Sequence, residues 1–171
     1  MQGRPQGSST LRTVLTVLAV MVMSGGGVSL LKPPPVMAAS QIAGRSAVDG
    51  QWTGFWVSYS SESQGFLYEA AMTLASGANN AIEGQINWTL RRSPRAADQA
   101  KVGLSAVEFV RGSYDPGSRV LRLTGYKKDD PNTVISLDRY HLLLADTGRV
   151  IGGITESQGS WQGSLSTVKK F

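Results

Sequence analysis

The sequence predicts an all-β domain, an antiparallel up-and-down β-barrel of about eight strands preceded by a signal peptide. Three observations carry this reading. Beyond Asp49 the chain is a succession of short β-like runs separated by turn residues. No stretch of it places apolar residues at the three-and-four spacing of a helix. The pattern Gly50-Gln51-Trp52-Thr53-Gly54 near the start of the domain returns as Gly159-Ser160-Trp161-Gln162-Gly163 near its end. In an up-and-down barrel the first and last strands are neighbours, so Trp52 and Trp161 are expected side by side, plugging one end.

The leader comes first. After Arg4 and Arg12 an apolar run extends from Thr13 to Met23, long enough for a signal-peptide core and short for a bilayer span. Lys32-Pro33-Pro34-Pro35 ends any helix, and Val36-Met37-Ala38 presents small residues for a peptidase, so cleavage is expected after Ala38 or Ala39. The alternative is an uncleaved anchor from Val14 to Leu31, the chain's one expected membrane contact. Residues 1–39 are thus signal peptide or anchor, 40–48 a small polar linker, and 49–168 the barrel, in a secreted or periplasmic protein.

The strands follow in order. Gln51 to Tyr59 is the first, and Ser60 to Gly65 its hairpin loop. Phe66 to Ala75 sets Phe66, Tyr68, Ala70, Met72 and Leu74 on the core face. After a turn at Ser76-Gly77-Ala78-Asn79-Asn80, Ile82, Gly84, Ile86, Trp88 and Leu90 alternate with polar residues in the clearest period of two in the chain. Arg91 to Gly103 is the longest interruption. The remaining strands are expected at Leu104 to Tyr114, Arg119 to Lys127, Thr133 to Leu144, Arg149 to Glu156 and Ser160 to Val168. Gly84, Gly125, Gly152 and Gly153 are expected to mark bends.

Charge and composition exclude several functions. The formal charge is +5, from 17 Lys and Arg against 12 Asp and Glu. Three of the cations, Arg4, Arg12 and Lys32, belong to the leader, which lowers the excess over the rest of the chain to +2 and removes the main support for nucleic-acid binding. The absence of cysteine rules out disulfides, thiolate metal sites and thiol nucleophiles.

The residues of the opening strand, Thr53-Gly54-Phe55-Trp56-Val57-Ser58, resemble the first strand of avidin-like proteins, and the meander as a whole is similar to the avidin and lipocalin type of eight-stranded barrel. That resemblance implies a barrel that holds a small ligand in an open mouth. It places Ser58 where the avidin-like proteins have a polar contact to biotin, and it is not extended to biotin itself. The segment from Gly112 to Asp138 resembles a group of exported bacterial β-proteins and implies no activity.

Candidate chemistry is sparse. Trp52, Trp56, Trp88 and Tyr68, with Ser58, are the expected pocket wall, set against the alternative that the same rings simply fill the barrel. Arg91, Arg92 and Arg95 are the expected anion contact. His141, alone of its kind, lacks the partners of a triad or a metal site and reads as an ordinary strand residue. Glu69 and Glu108 are a conceivable carboxylate pair for glycoside hydrolysis. Asp129-Asp130-Pro131-Asn132 offers oxygen ligands for calcium and reads first as a turn. Neither cofactor nor metal is expected. The leading expectation is an exported non-catalytic barrel binding a small ligand. The alternatives are a structural or protein-interaction module of the cell envelope, and a hydrolase using carboxylates or His141.

Overall fold

A computed structural model describes residues 45–171 apart from residues 62 and 160. The leader, its cleavage site and the first part of the linker lie outside the described residues. The domain is a closed barrel in which every strand pairs antiparallel with its sequence neighbours and the last pairs with the first. Its strands are β1 (Gly50–Ser58), β2 (Leu67–Ser76), β3 (Ala81–Arg92), β4 (Ser105–Asp115), β5 (Val120–Asp129), β6 (Asp138–Leu144), β7 (Val150–Ser157) and β8 (Gln162–Lys169). Short 3-10 helices at Ala78–Asn80 and Ala96–Lys101 are the helical elements among the described residues.

The period of two decides which side chains go inside. On β3 Ile82, Ile86, Trp88 and Leu90 are buried while Glu83, Gln85 and Asn87 face out, and on β2 Tyr68, Ala70, Met72 and Leu74 are buried. Glu108 follows the same rule on β4, between Ala106 and Val110, and is carried wholly into the interior.

Closure is observed, but Trp52 and Trp161 do not meet. In the β1–β8 pairing Trp52 lies opposite Lys169 and Ser58 opposite Gly163, so the two rings sit at opposite ends of the seam. Antiparallel pairing requires this, because the start of one strand faces the end of the other. The repeated motif marks the seam through its glycines instead. A side chain at Gly54 would strike the backbone of Ser166 and Thr167 on β8, and one at Gly163 would enter the indole of Trp56 on β1.

The two ends differ. At one, Trp52 is buried against Val48, its indole N–H donating to the Val48 carbonyl at 2.9 Å, while the Lys169 ammonium lies 5.0 Å from the ring centre. Three tight connections close the sheet there, after β2, β4 and β6. The opposite end carries the long segments at residues 59–66, 93–104 and 130–137. The expected strand from Thr133 begins only at Asp138. Asp130 accounts for the difference: its carboxylate accepts the backbone N–H groups of Val134 (2.7 Å) and Ile135 (3.0 Å) and the Lys128 ammonium (3.0 Å), which folds residues 130–135 into a compact loop.

Candidate functional site

The long-loop end holds a cavity of about 190 Å³. Trp56 from β1, Tyr68 from β2, Trp88 and Leu90 from β3, Phe66 and Trp161 line its wall. The rim comes from two loops: Arg95, Asp98 and Lys101 on one side, Thr133 to Ser136 on the other. The rings brace one another. Trp56 and Trp88 each meet Tyr68 edge-on, with centroids 5.6 and 6.2 Å away, and Phe66 packs 4.7 Å from Trp161. Tyr68 also ties the wall to the rim, since its hydroxyl donates to the Val134 carbonyl at 2.8 Å. Burial, assisted by the nearby Asp98, Asp138 and Asp130, pushes that phenol far up, so it stays a donor.

At the floor lie two neighbouring carboxyl groups. Glu108 accepts the Trp88 indole N–H at 3.0 Å, the Asp138 backbone N–H at 2.8 Å and the Tyr140 hydroxyl. Burial raises its pKa and these three donors work against the rise, with the net shift upward. Gly125 makes the arrangement possible, because any side chain there would occupy the position of the Glu108 Oε1 atom. The β4–β5 register also slips at this point, with Phe109 opposite Lys127 and Val110 opposite Gly125.

Asp138, at the start of β6, lines the cavity itself. Its carboxyl is engaged by the Thr155 hydroxyl, which in turn accepts the Trp56 indole N–H at 2.6 Å. Burial first, and the Glu108 charge second, push the Asp138 carboxyl up to about 8.

The expected site residues divide. Trp56, Tyr68 and Trp88 converge on the cavity, whereas Trp52 lies at the far end and Ser58 is buried outside the lining, bonded to Ser63 and donating to the Gln162 carbonyl at 3.2 Å. The three arginines do not form one anion site. Arg91 pairs with Glu69 on the outer face, Arg92 donates to the Gly65 carbonyl at 2.9 Å, and Arg95 alone reaches the cavity, its guanidinium 4.7 Å from the Trp161 ring centre. Glu69 and Glu108 are separated by the barrel wall, one facing out and the other in, because they stand at odd and even positions of the alternation. His141 is exposed on β6 between Arg122 and Ile154 of the flanking strands. Among the described residues no group of three or more His, Asp or Glu is placed to hold a metal.

Asp138, Thr155, Phe66 and Trp161 are not among the expected pocket residues, although the alternation puts Phe66 on a core face and the paired motif puts Trp161 at a barrel end. For Thr155 and Phe66 the alternation was the available signal. For Asp138 it was obscured by the strand expected from Thr133, which gave no reason to end a loop there.

Together these features define a class: a closed eight-stranded antiparallel barrel with tight turns at one end and an aromatic-lined cavity at the other. No protein-family model, curated protein or solved structure matches the chain.

Proposed function

We propose that the protein is a non-catalytic barrel that takes a small, ring-bearing ligand into its aromatic mouth, as the avidin- and lipocalin-like resemblance implies. The observation that carries this reading is the cavity of about 190 Å³ walled by Trp56, Tyr68, Trp88 and Trp161. Its size is near that of a cavity of about 150 Å³ that accepts benzene. A hydrolytic role is less well supported. The Glu108 oxygens are already occupied by three internal donors, and Asp98 is paired with Lys101 at 3.5 Å. With Asp138 as the remaining acid in the lining, a two-carboxylate mechanism lacks its second member. The leader supports export to the periplasm or beyond, and amino-terminal sequencing of the exported protein tests cleavage after Ala38 or Ala39.

Three of the wall residues are tryptophans, so intrinsic fluorescence reports on occupancy directly. Titration with a panel of single-ring compounds is expected to give saturable quenching or a spectral shift. No response to any of them up to their solubility limits would defeat the ligand-binding reading.

A second reading, an interaction module of the cell envelope, is favoured by the outer face of the seam. Val57 and Ile154 flank Ser164 in one row across three strands, with Phe55 beside them, and all three apolar side chains are exposed. Capture of a stoichiometric protein partner by the wild type, lost in Ile154→Lys, would favour it.

A further inference from the structure

We infer that the ligand carries a protonated amine, seated with its ammonium on the Asp138 carboxylate and its ring among Trp56, Tyr68 and Trp88. The inference rests on the ligand-binding reading above and narrows it to one chemical class.

Three features of the cavity point to a cation. The first is the wall, since aromatic faces are negative and attract positive groups. This wall already holds one at its rim, where the Arg95 guanidinium lies 4.7 Å from the Trp161 centroid and 5.4 Å from that of Phe66. The second is the floor. A carboxylate offers about four lone-pair positions, and Thr155 takes one at Asp138, so acceptor capacity faces the cavity. The third is the sign of the surroundings. Glu108 stands directly behind Asp138, and Asp98 is in the rim. An anionic ligand would meet Asp138 and Asp98 in the lining, with Glu108 behind Asp138, while the rim cations are already employed: Lys101 donates to the Thr133 carbonyl at 3.0 Å and pairs with Asp98, and Arg95 lies on the rings.

A proton accompanies the ligand. Burial and the Glu108 charge hold the Asp138 carboxyl at about 8, so in the empty cavity it is largely protonated at pH 7. An arriving ammonium stabilises the ionised form; the carboxyl proton leaves to solvent and the amine keeps its own. The other charged and titratable groups around this site are Glu108 and Lys128 behind it, Tyr140 on β6, Tyr68 on β2, Arg95, Asp98 and Lys101 in the rim, and Asp130 in the facing loop.

The test is isothermal titration calorimetry of the full exported domain with benzylamine and with benzyl alcohol, which share a ring and differ in charge, at pH 7 in two buffers of different ionisation enthalpy. Benzylamine is expected to bind at least about tenfold more tightly, as a charge-assisted hydrogen bond requires. Its heat is expected to vary between buffers by the amount that corresponds to release of about one proton, given a carboxyl near 8. In Asp138→Asn, verified as folded by its β-type circular dichroism, the preference should fall to near parity. Equal binding of the two compounds to the wild type, or amine binding without proton release, overturns the inference and leaves the ligand-binding reading intact. Binding of neither, together with a silent fluorescence panel, overturns both. The wild-type measurements decide the matter even if the variant does not fold.

Discussion

Asp138 is a carboxyl group whose neighbours oppose its ionisation, and that opposition has a cost in stability. Its pKa is raised from 3.8 to about 8 in the fold, so between those values the folded empty barrel binds more proton than the unfolded chain. The stabilisation is complete below about pH 4 and is lost as pH rises through 8, with a slope of up to about 1.4 kcal/mol per pH unit. Glu108, also raised, adds in the same direction. Asp115 and Asp130 are lowered, and therefore act below about pH 4, outside this window. Urea unfolding of the wild type is expected to show stability falling from pH 4.5 to pH 8, and Asp138→Asn to flatten the profile and exceed the wild type at pH 8. Stability constant or rising across that interval would contradict the assigned environment. Gly125 supports the same pair of acids. Gly125→Ala puts a methyl group where Glu108 Oε1 sits, so a loss of about 1–3 kcal/mol is expected in the same assay, as for other overpacked interiors.

At the scale of elements, the sheet was legible because burial and pleat impose one period on every strand. Ile82, Ile86, Trp88 and Leu90 declare their face in sequence, and the turn at Asn79 and Asn80 declares itself by residues that accept the positive φ values of 56° and 61° seen there. Loops follow no period. From Thr133 the sequence predicts strand, because Val134 and Ile135 are β-branched and apolar, whereas Asp130 collects both of their N–H groups and turns them toward the mouth. The cavity was therefore half visible: its strand-borne wall, Trp56, Tyr68 and Trp88, could be named, while its rim and its acid floor depend on loop geometry and on contacts between distant strands. Within the repeated motif the two glycines near the carboxyl end separate by the same logic. Gly163 lies where a Cβ would enter the Trp56 indole, and Gly159 has only ordinary contact, 3.7 Å from the Ser157 Oγ. Gly163→Ala is expected to cost about 1–3 kcal/mol in urea unfolding and Gly159→Ala no more than about 0.5 kcal/mol. Equal losses would mean that the motif's glycines serve the turn and not the seam.

Across the whole molecule, one end of the barrel is closed over Trp52 and the other holds the cavity, and the two outer tryptophans report on that division. Trp52 is fully buried, hydrogen-bonded through its indole to Val48 and covered by Lys169. Its replacement by Ala removes a large ring from the sealed end and is expected to cost about 3–5 kcal/mol, enough to threaten a domain of ordinary stability. Trp161 is partly exposed, packed at a tilt against Phe66 and under Arg95. Those contacts are worth roughly 1–2 kcal/mol together, so Trp161→Ala should be milder in unfolding and should instead weaken ring-compound binding. The two positions are separated along the seam by about the length of β1, roughly 27 Å at the rise of a strand, and share no neighbour by pairing. Residues that far apart contribute independently, so the losses in the double variant should sum to within about 0.5 kcal/mol. A marked shortfall from additivity would mean that the rings meet, contrary to the antiparallel register of β1 and β8. Equal single losses would mean instead that the mouth is packed as tightly as the sealed end, which leaves no room there for a ligand.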